Sequence, residues 1–143
     1  MCCSSARSQR YIIERCLKWI NQRKAFGKPL ASQPVVRAKI AAMISRAEAI
    51  QAWLENITYQ MCNMVLIFRC NMKETNTQAR ILQSYKQQAS KLAGQIALLK
   101  AYSTRSAQET AQDAVQIFGG RGITQSGMGA EIEHVSILLD LAS

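Results

Sequence analysis

This sequence predicts an all-α protein, an antiparallel up-and-down four-helix bundle, and three observations carry the prediction. Apolar residues recur at steps of three and four over long stretches. Only two prolines, Pro29 and Pro34, interrupt the chain, both in its first quarter. No strand pattern with turn chemistry appears, so antiparallel helices are the natural architecture. With 143 residues the chain is the size of one domain, able to bury a core without metal or disulfide support, and residues 1–143 read as a single unit.

Ile13, Cys16, Leu17 and Ile20 mark a first helix ending near Arg23. The stretch "QRKAFGKPLASQ" then forms a basic corner, in which Gly27 allows the turn and Pro29 and Pro34 fix the chain's direction. From Val36 the positions Ile40, Met43, Ala47, Ile50, Leu54, Ile57, Met61 and Met64 form one helical stripe, opposite Lys39, Arg46, Glu48, Gln51 and Glu55. A second long helix carries Leu92, Ile96, Leu99, Ser103, Ala107, Ala111, Ala114 and Phe118. Its small residues would let a neighbouring backbone approach, and it should stop at Gly119-Gly120 by a left-handed exit. After Gly129, the residues Ile132, Val135, Leu138 and Leu139 suggest a short last helix. Between the long helices, residues 65–83 lack the stripe and centre on the polar "KETNTQ", so they read as an irregular insertion.

Composition narrows the function classes. No apolar run exceeds five residues, as in Met64 to Phe68, against the roughly 20 that span a bilayer, so no membrane span is expected. The first residues, "MCCSSARSQR", have no apolar h-region or cleavage site, and the chain reads as intracellular, whether cytoplasmic, mitochondrial or peroxisomal. Five cysteines without a CxxC pair, and His134 as the one histidine, argue against a structural zinc and for reduced thiols that pack as small hydrophobes. The formal charge of +9 suggests a polyanionic partner: nucleic acid, anionic lipid or a phosphorylated cofactor. The basic residues are scattered with few aromatics among them, which weakens the nucleic-acid reading.

Two loops could carry chemistry. The first holds Arg23, Phe26 and Gly27, followed by Gln33; the second holds Gln116 and Gly119-Gly120-Arg121-Gly122. Arg23 offers a planar fork suited to phosphate oxygens, the glutamines can donate and accept, and the glycines admit close backbone approach. By itself the Gly-Gly-x-Gly run is a helix stop. The bundle topology alone leaves open whether the two loops share one end, of one chain or of neighbouring subunits.

Taken together, these stretches resemble the C-terminal domain of the acyl-CoA dehydrogenases. "RKAFGKPLASQ" is similar to that family's R-x-x-F-G-x-x-(I/L)-x-x-x-Q segment, and "DAVQIFGGRGIT" to its A-x-Q-x-x-G-G-x-G-(Y/F/I)-(T/S) segment, in the same order and helical context. The resemblance covers residues 7 to 134 apart from the insertion. It implies an FAD-dependent oxidoreductase of fatty or branched-chain acyl-CoA. The flavin takes a hydride from the β-carbon, a glutamate removes the α-proton, and an electron-transfer flavoprotein or oxygen reoxidises the flavin. It implies a dimer or tetramer in which Arg23 reaches the FAD pyrophosphate of a neighbouring subunit. Phe26 would pack beside the cofactor or staple the loop to the bundle, Gln33 would hold the ADP half, and Gln116, Gly119 and Gly120 would line the same dinucleotide. The alternative, from another class, is a non-catalytic basic bundle that binds nucleic acid or a helical partner protein.

The departures from the family pattern matter too. The helical and β domains that precede the bundle in relatives are not in this sequence. No catalytic base is assigned: Glu14 matches no motif, and Glu131 and Glu133 read as solvated charges. Relatives join the two long helices through a short turn. A valine codon begins GT and one glutamine codon is CAG, so a segment from Val65 to Gln83 has the form of a retained, translated intron. Transcript reads running through it uninterrupted would refute that. The tail "HVSILLDLAS" also departs from relatives and reads as a second gene-model error or a truncation.

Overall fold

In the computed structural model, which describes residues 2–71 and 78–133, helix α1 spans Cys2–Gln22, α2 Pro34–Asn71 and α3 Gln78–Phe118. A short helix α4 covers residues 128–133. These are the four α-helices among the described residues, and the protein is all-α, as the periodicity predicts.

Two buried clusters fix the helix directions. One joins Ile20 of α1 and Ile40 and Met43 of α2 to Ile117 and Phe118 of α3, with Ile132 of α4. The other joins Ala6 to Ile50 and Ile57 and to Leu92 and Leu99. Thus α1 runs from the second cluster to the first, α2 returns, and α3 runs back parallel to α1. The two chain segments that resemble family motifs, at the end of α1 and the end of α3, therefore share one end of one chain.

The stripes hold where packing is tightest: Met43 and Ile50 are fully buried, as are Ala107 and Ala114. Three stripe residues depart from expectation. Leu17, Met61 and Ile96 are at least partly exposed; Leu17 lies at the margin of its helix's buried arc, whereas Met61 and Ile96 point the same way as the fully buried Met43 and Ala114, five turns away along their helices. The α3 seam also takes in Ser103, Ser106 and Thr110, all buried. Ser103 Oγ donates to the Lys100 carbonyl at 3.0 Å and Ser106 Oγ to that of Tyr102 at 2.7 Å, so the two serine hydroxyls enter the interface already bonded to their own helix, while the Thr110 hydroxyl has no protein partner among the described residues. Gln9 faces them from α1, its Nε2 donating to the Ser103 carbonyl at 3.4 Å. Cys16 is sealed in the same interior. Burial, helped by the negative charge of Asp113, pushes its thiol up to about 12, so it packs as an inert hydrophobe.

Two expectations are corrected. The basic corner is a minimal β-hairpin: β1 (Lys24–Ala25) pairs antiparallel with β2 (Lys28–Pro29), with Lys24 opposite Pro29. Its loop, Phe26-Gly27, takes positive φ at both residues, 55° and 76°, the pattern of a type I′ turn. A phenylalanine hides that turn from a sequence reading, since asparagine or aspartate is the usual partner of glycine there. Residues 65–83, read as irregular, are helical at both flanks, because α2 continues to Asn71 and α3 begins at Gln78. No proline or glycine lies within 65–71 or 78–83, so nothing local opposes helix in these two flanks. Residues 72–77, which hold all of that polar centre but Gln78, lie outside the described residues, as do His134 and the tail.

Candidate functional site

The hairpin and the end of α3 meet around Trp19. Arg23 lies four residues beyond Trp19, its N–H still donating to the Trp19 carbonyl at 2.9 Å, so both side chains project from one face of the same helix end. The Leu30 N–H donates to the Arg23 carbonyl at 2.8 Å and closes the hairpin against α1. From the other side, α3 stops at Phe118. Gly119 turns the chain with φ +62°, and Gly119–Gly122 form a 3₁₀ turn that carries Arg121. Phe118 is buried and meets the Trp19 ring edge-on, centroids 6.3 Å apart and planes at 71°. The Arg23 guanidinium carbon lies 5.9 Å from the Trp19 ring centroid and that of Arg121 lies 5.0 Å from it.

Between them opens a cavity of about 410 Å³, lined by Trp19, Arg23, Leu30, Phe118, Gly119 and Gly120, with Arg121 at its wall. Of the predicted site residues, the structure brings Arg23, Gly119 and Gly120 together here. Gln33 lies at the start of α2, where its carbonyl accepts from the Arg37 N–H at 3.1 Å, and Gln116 is exposed on α3; neither lines the cavity. Phe26 is 97% exposed, so it does not staple the loop to the bundle. Arg121 and Trp19 were not singled out from sequence. Each is ordinary in its own segment, and they stand 102 positions apart.

The glycines differ in what they do. At Gly122 a Cβ would meet the Val115 backbone at 3.0 and 3.1 Å, so packing disfavours a side chain there. At Gly119 the positive φ demands it. Gly120 has neither reason: its φ is not positive and a Cβ there would meet nothing within 4 Å.

The other charged groups serve the scaffold. Glu131, read as a solvated charge, accepts from Arg15 through both oxygens at 2.7 and 2.8 Å and ties α4 to α1. That bidentate bond and the Glu131 charge raise the Arg15 pKa. Asp113 accepts from Lys39 at 3.0 Å and Arg46 at 2.6 Å, joining α3 to α2. Burial would push its carboxyl up, but these two hydrogen bonds and cations outweigh it and hold the group below the usual carboxylate range.

Similarity to known proteins is extensive. The family model for the C-terminal domain of acyl-CoA dehydrogenases matches residues 1–73 and 66–137. The acyl-CoA dehydrogenase apdG of Emericella nidulans is 31% identical over 129 residues, 90% of this chain and 25% of that protein. Escherichia coli YdiO, named as an acyl-CoA dehydrogenase, is 33% identical over 111 residues, 78% of this chain and 22% of its own length. A crystal structure assigned to an acyl-CoA dehydrogenase of Mycobacterium smegmatis superposes with a TM-score of 0.70 at 19% identity, over 99% of this chain and 30% of that one, which shows the shared fold. The chain spans about a quarter of the length of these curated relatives.

Proposed function

The chain belongs to the acyl-CoA dehydrogenase family, matching its C-terminal domain, and from that premise we propose that it supplies FAD contacts and subunit contacts to a flavin-dependent acyl-CoA dehydrogenase. The observation that carries the reading is the convergence of Arg23 with Gly119 and Gly120 on one open cavity. The donor set fits a dinucleotide. A guanidinium fork matches the paired oxygens of a pyrophosphate, and the bare Gly120 leaves backbone that only an outside group has reason to approach.

When bound, FAD supplies a hydride acceptor for the β-carbon of an acyl-CoA. The residues of this chain would bind and orient it. Arg23 would neutralise the pyrophosphate, while Gly119 and Gly120 would let it lie against the main chain. Gln33 and Gln116, outside the cavity but on the same end of the molecule, would hold further polar edges of the dinucleotide. Phe26 supports the same reading. A bulky residue at positive φ with its ring in solvent is strained and contributes nothing to the core, so its use lies in what it meets outside the chain. Acyl-CoA as substrate, a flavoprotein or oxygen as electron acceptor, and a dimer or tetramer as the working assembly follow from the same proposal.

The test is to purify the chain, add FAD, remove the excess and record the flavin spectrum. Retained flavin is expected, and Arg23→Gln should weaken its binding by about tenfold, the scale of one charge-assisted contact. A colourless protein with no FAD binding would leave only a structural role. DNA binding that falls steeply with salt, without any response to FAD, would favour the basic-bundle alternative.

A further inference from the structure

We propose that Arg121 is a second diphosphate-binding cation, paired with Arg23 across the shared Trp19 ring. This deepens the FAD reading above and rests on it for the identity of the ligand. The G-G-x-G pattern leaves the position of Arg121 open, so nothing in that pattern assigns it a role.

Four arginines of this chain find carboxylate partners among the described residues. Arg10 pairs with Glu48, Arg15 with Glu131, Arg46 with Asp113 and Arg105 with Glu109. Four others pair with no carboxylate among the described residues: Arg7 on α1 and Arg37 on α2, and Arg23 and Arg121, and the last two differ in what they share. Both lie instead within cation–π reach of one indole, and both are exposed at the same cavity. Two like charges drawn to one ring repel each other, and a dianionic group between them would relieve that repulsion. A diphosphate has two phosphoryl groups, one for each guanidinium fork, whereas the four oxygens of orthophosphate must serve both forks at a single phosphorus, with less reach between them. Trp19 acts as a positioning residue: its ring is braced edge-on by the buried Phe118, so it holds cations from α1 and from the turn after α3 in a fixed relation.

The ring also supplies the readout. The chain has two tryptophans, and Trp53→Phe leaves Trp19 as the sole indole. In that background, inorganic pyrophosphate should change Trp19 emission saturably, with orthophosphate at least about tenfold weaker. Arg121→Gln should weaken pyrophosphate and FAD binding by about tenfold, and Arg121→Lys should restore part of the loss by returning the charge without the fork. Calorimetry measures the same affinities independently of the indole, and circular dichroism checks that each variant keeps its helix content. Retained FAD binding that depends on Arg23 but is unchanged by Arg121→Gln would overturn this inference and leave the FAD reading standing. A pyrophosphate response that needs both arginines, with no FAD binding, would uphold the two-cation site and sink the FAD reading.

Discussion

At the residue scale, three glycines within four positions serve three purposes, and substitution separates them. Gly122→Ala forces a methyl to within 3.0 Å of the Val115 backbone, and should cost about 1–3 kcal/mol, the usual scale of overpacking. Gly120→Ala meets no atom of the chain within 4 Å, so urea unfolding should move by less than about 0.5 kcal/mol. The same substitution should weaken FAD binding measurably, because the methyl would stand where the cofactor approaches. A large stability loss at Gly120 would mean that the chain itself needs glycine there. From sequence the Gly-Gly-Arg-Gly run was legible as a helix stop, and its family likeness as a cofactor loop. The division of labour was not, since it depends on which atoms of Val115 lie across the turn. Arg121 and Trp19 were hidden for a similar reason: the helix directions bring them together, and no local spacing does.

At the element scale, long amphipathic stripes were the most legible feature, because burial of Ile40, Met43, Ile50, Leu92 and Leu99 follows the helical period directly. The hairpin was illegible because its turn carries phenylalanine where turn chemistry favours a small polar residue. Ser106 was missed in the seam because a hydroxyl reads as polar until its bond to the Tyr102 carbonyl is seen. The α2–α3 contact adds a charged junction, Asp113 with Lys39 and Arg46, and this sets a pH dependence. Since the Asp113 carboxyl is lowered in the fold, the unfolded chain takes up the proton first as pH falls. Its stabilising contribution is complete above the unfolded value of about 3.9 and is lost as pH drops through the lowered folded value. Asp113→Asn should therefore cost about 1–3 kcal/mol at neutral pH, by leaving the partly buried Lys39 without its anion and Arg46 with only its longer contact to Glu109 at 3.5 Å. It should also flatten the acid limb of stability. Urea unfolding of both proteins at neutral pH and through the acid range measures both effects; parallel acid limbs would assign that pH dependence to other groups.

At the scale of the whole molecule, helix lengths set the two ends apart. The 21 residues of α1 reach roughly 31 Å, while the 38 of α2 and the 41 of α3 reach roughly 57 and 62 Å. The long pair therefore extends well past α1, and it does so away from Trp19, since the end of α1, the start of α2 and the end of α3 all meet at the candidate site. The end of α2 at Asn71 and the start of α3 at Gln78, both within the span 65–83, lie at that far end. Among relatives the passage from α2 to α3 is expected to be a short turn, so the segment adds length where the cofactor contacts are not. Deleting Val65–Gln83 should then leave the pyrophosphate response of Trp19 unchanged and the melting temperature the same or higher, because the shortened helices keep Ile57, Leu92 and Leu99, the contacts that pack them against α1. Fluorescence titration and thermal unfolding of the deleted chain measure both. A deleted chain that loses the pyrophosphate response or fails to fold would show that the segment, whatever its origin in the gene, has become part of what holds the two long helices in register.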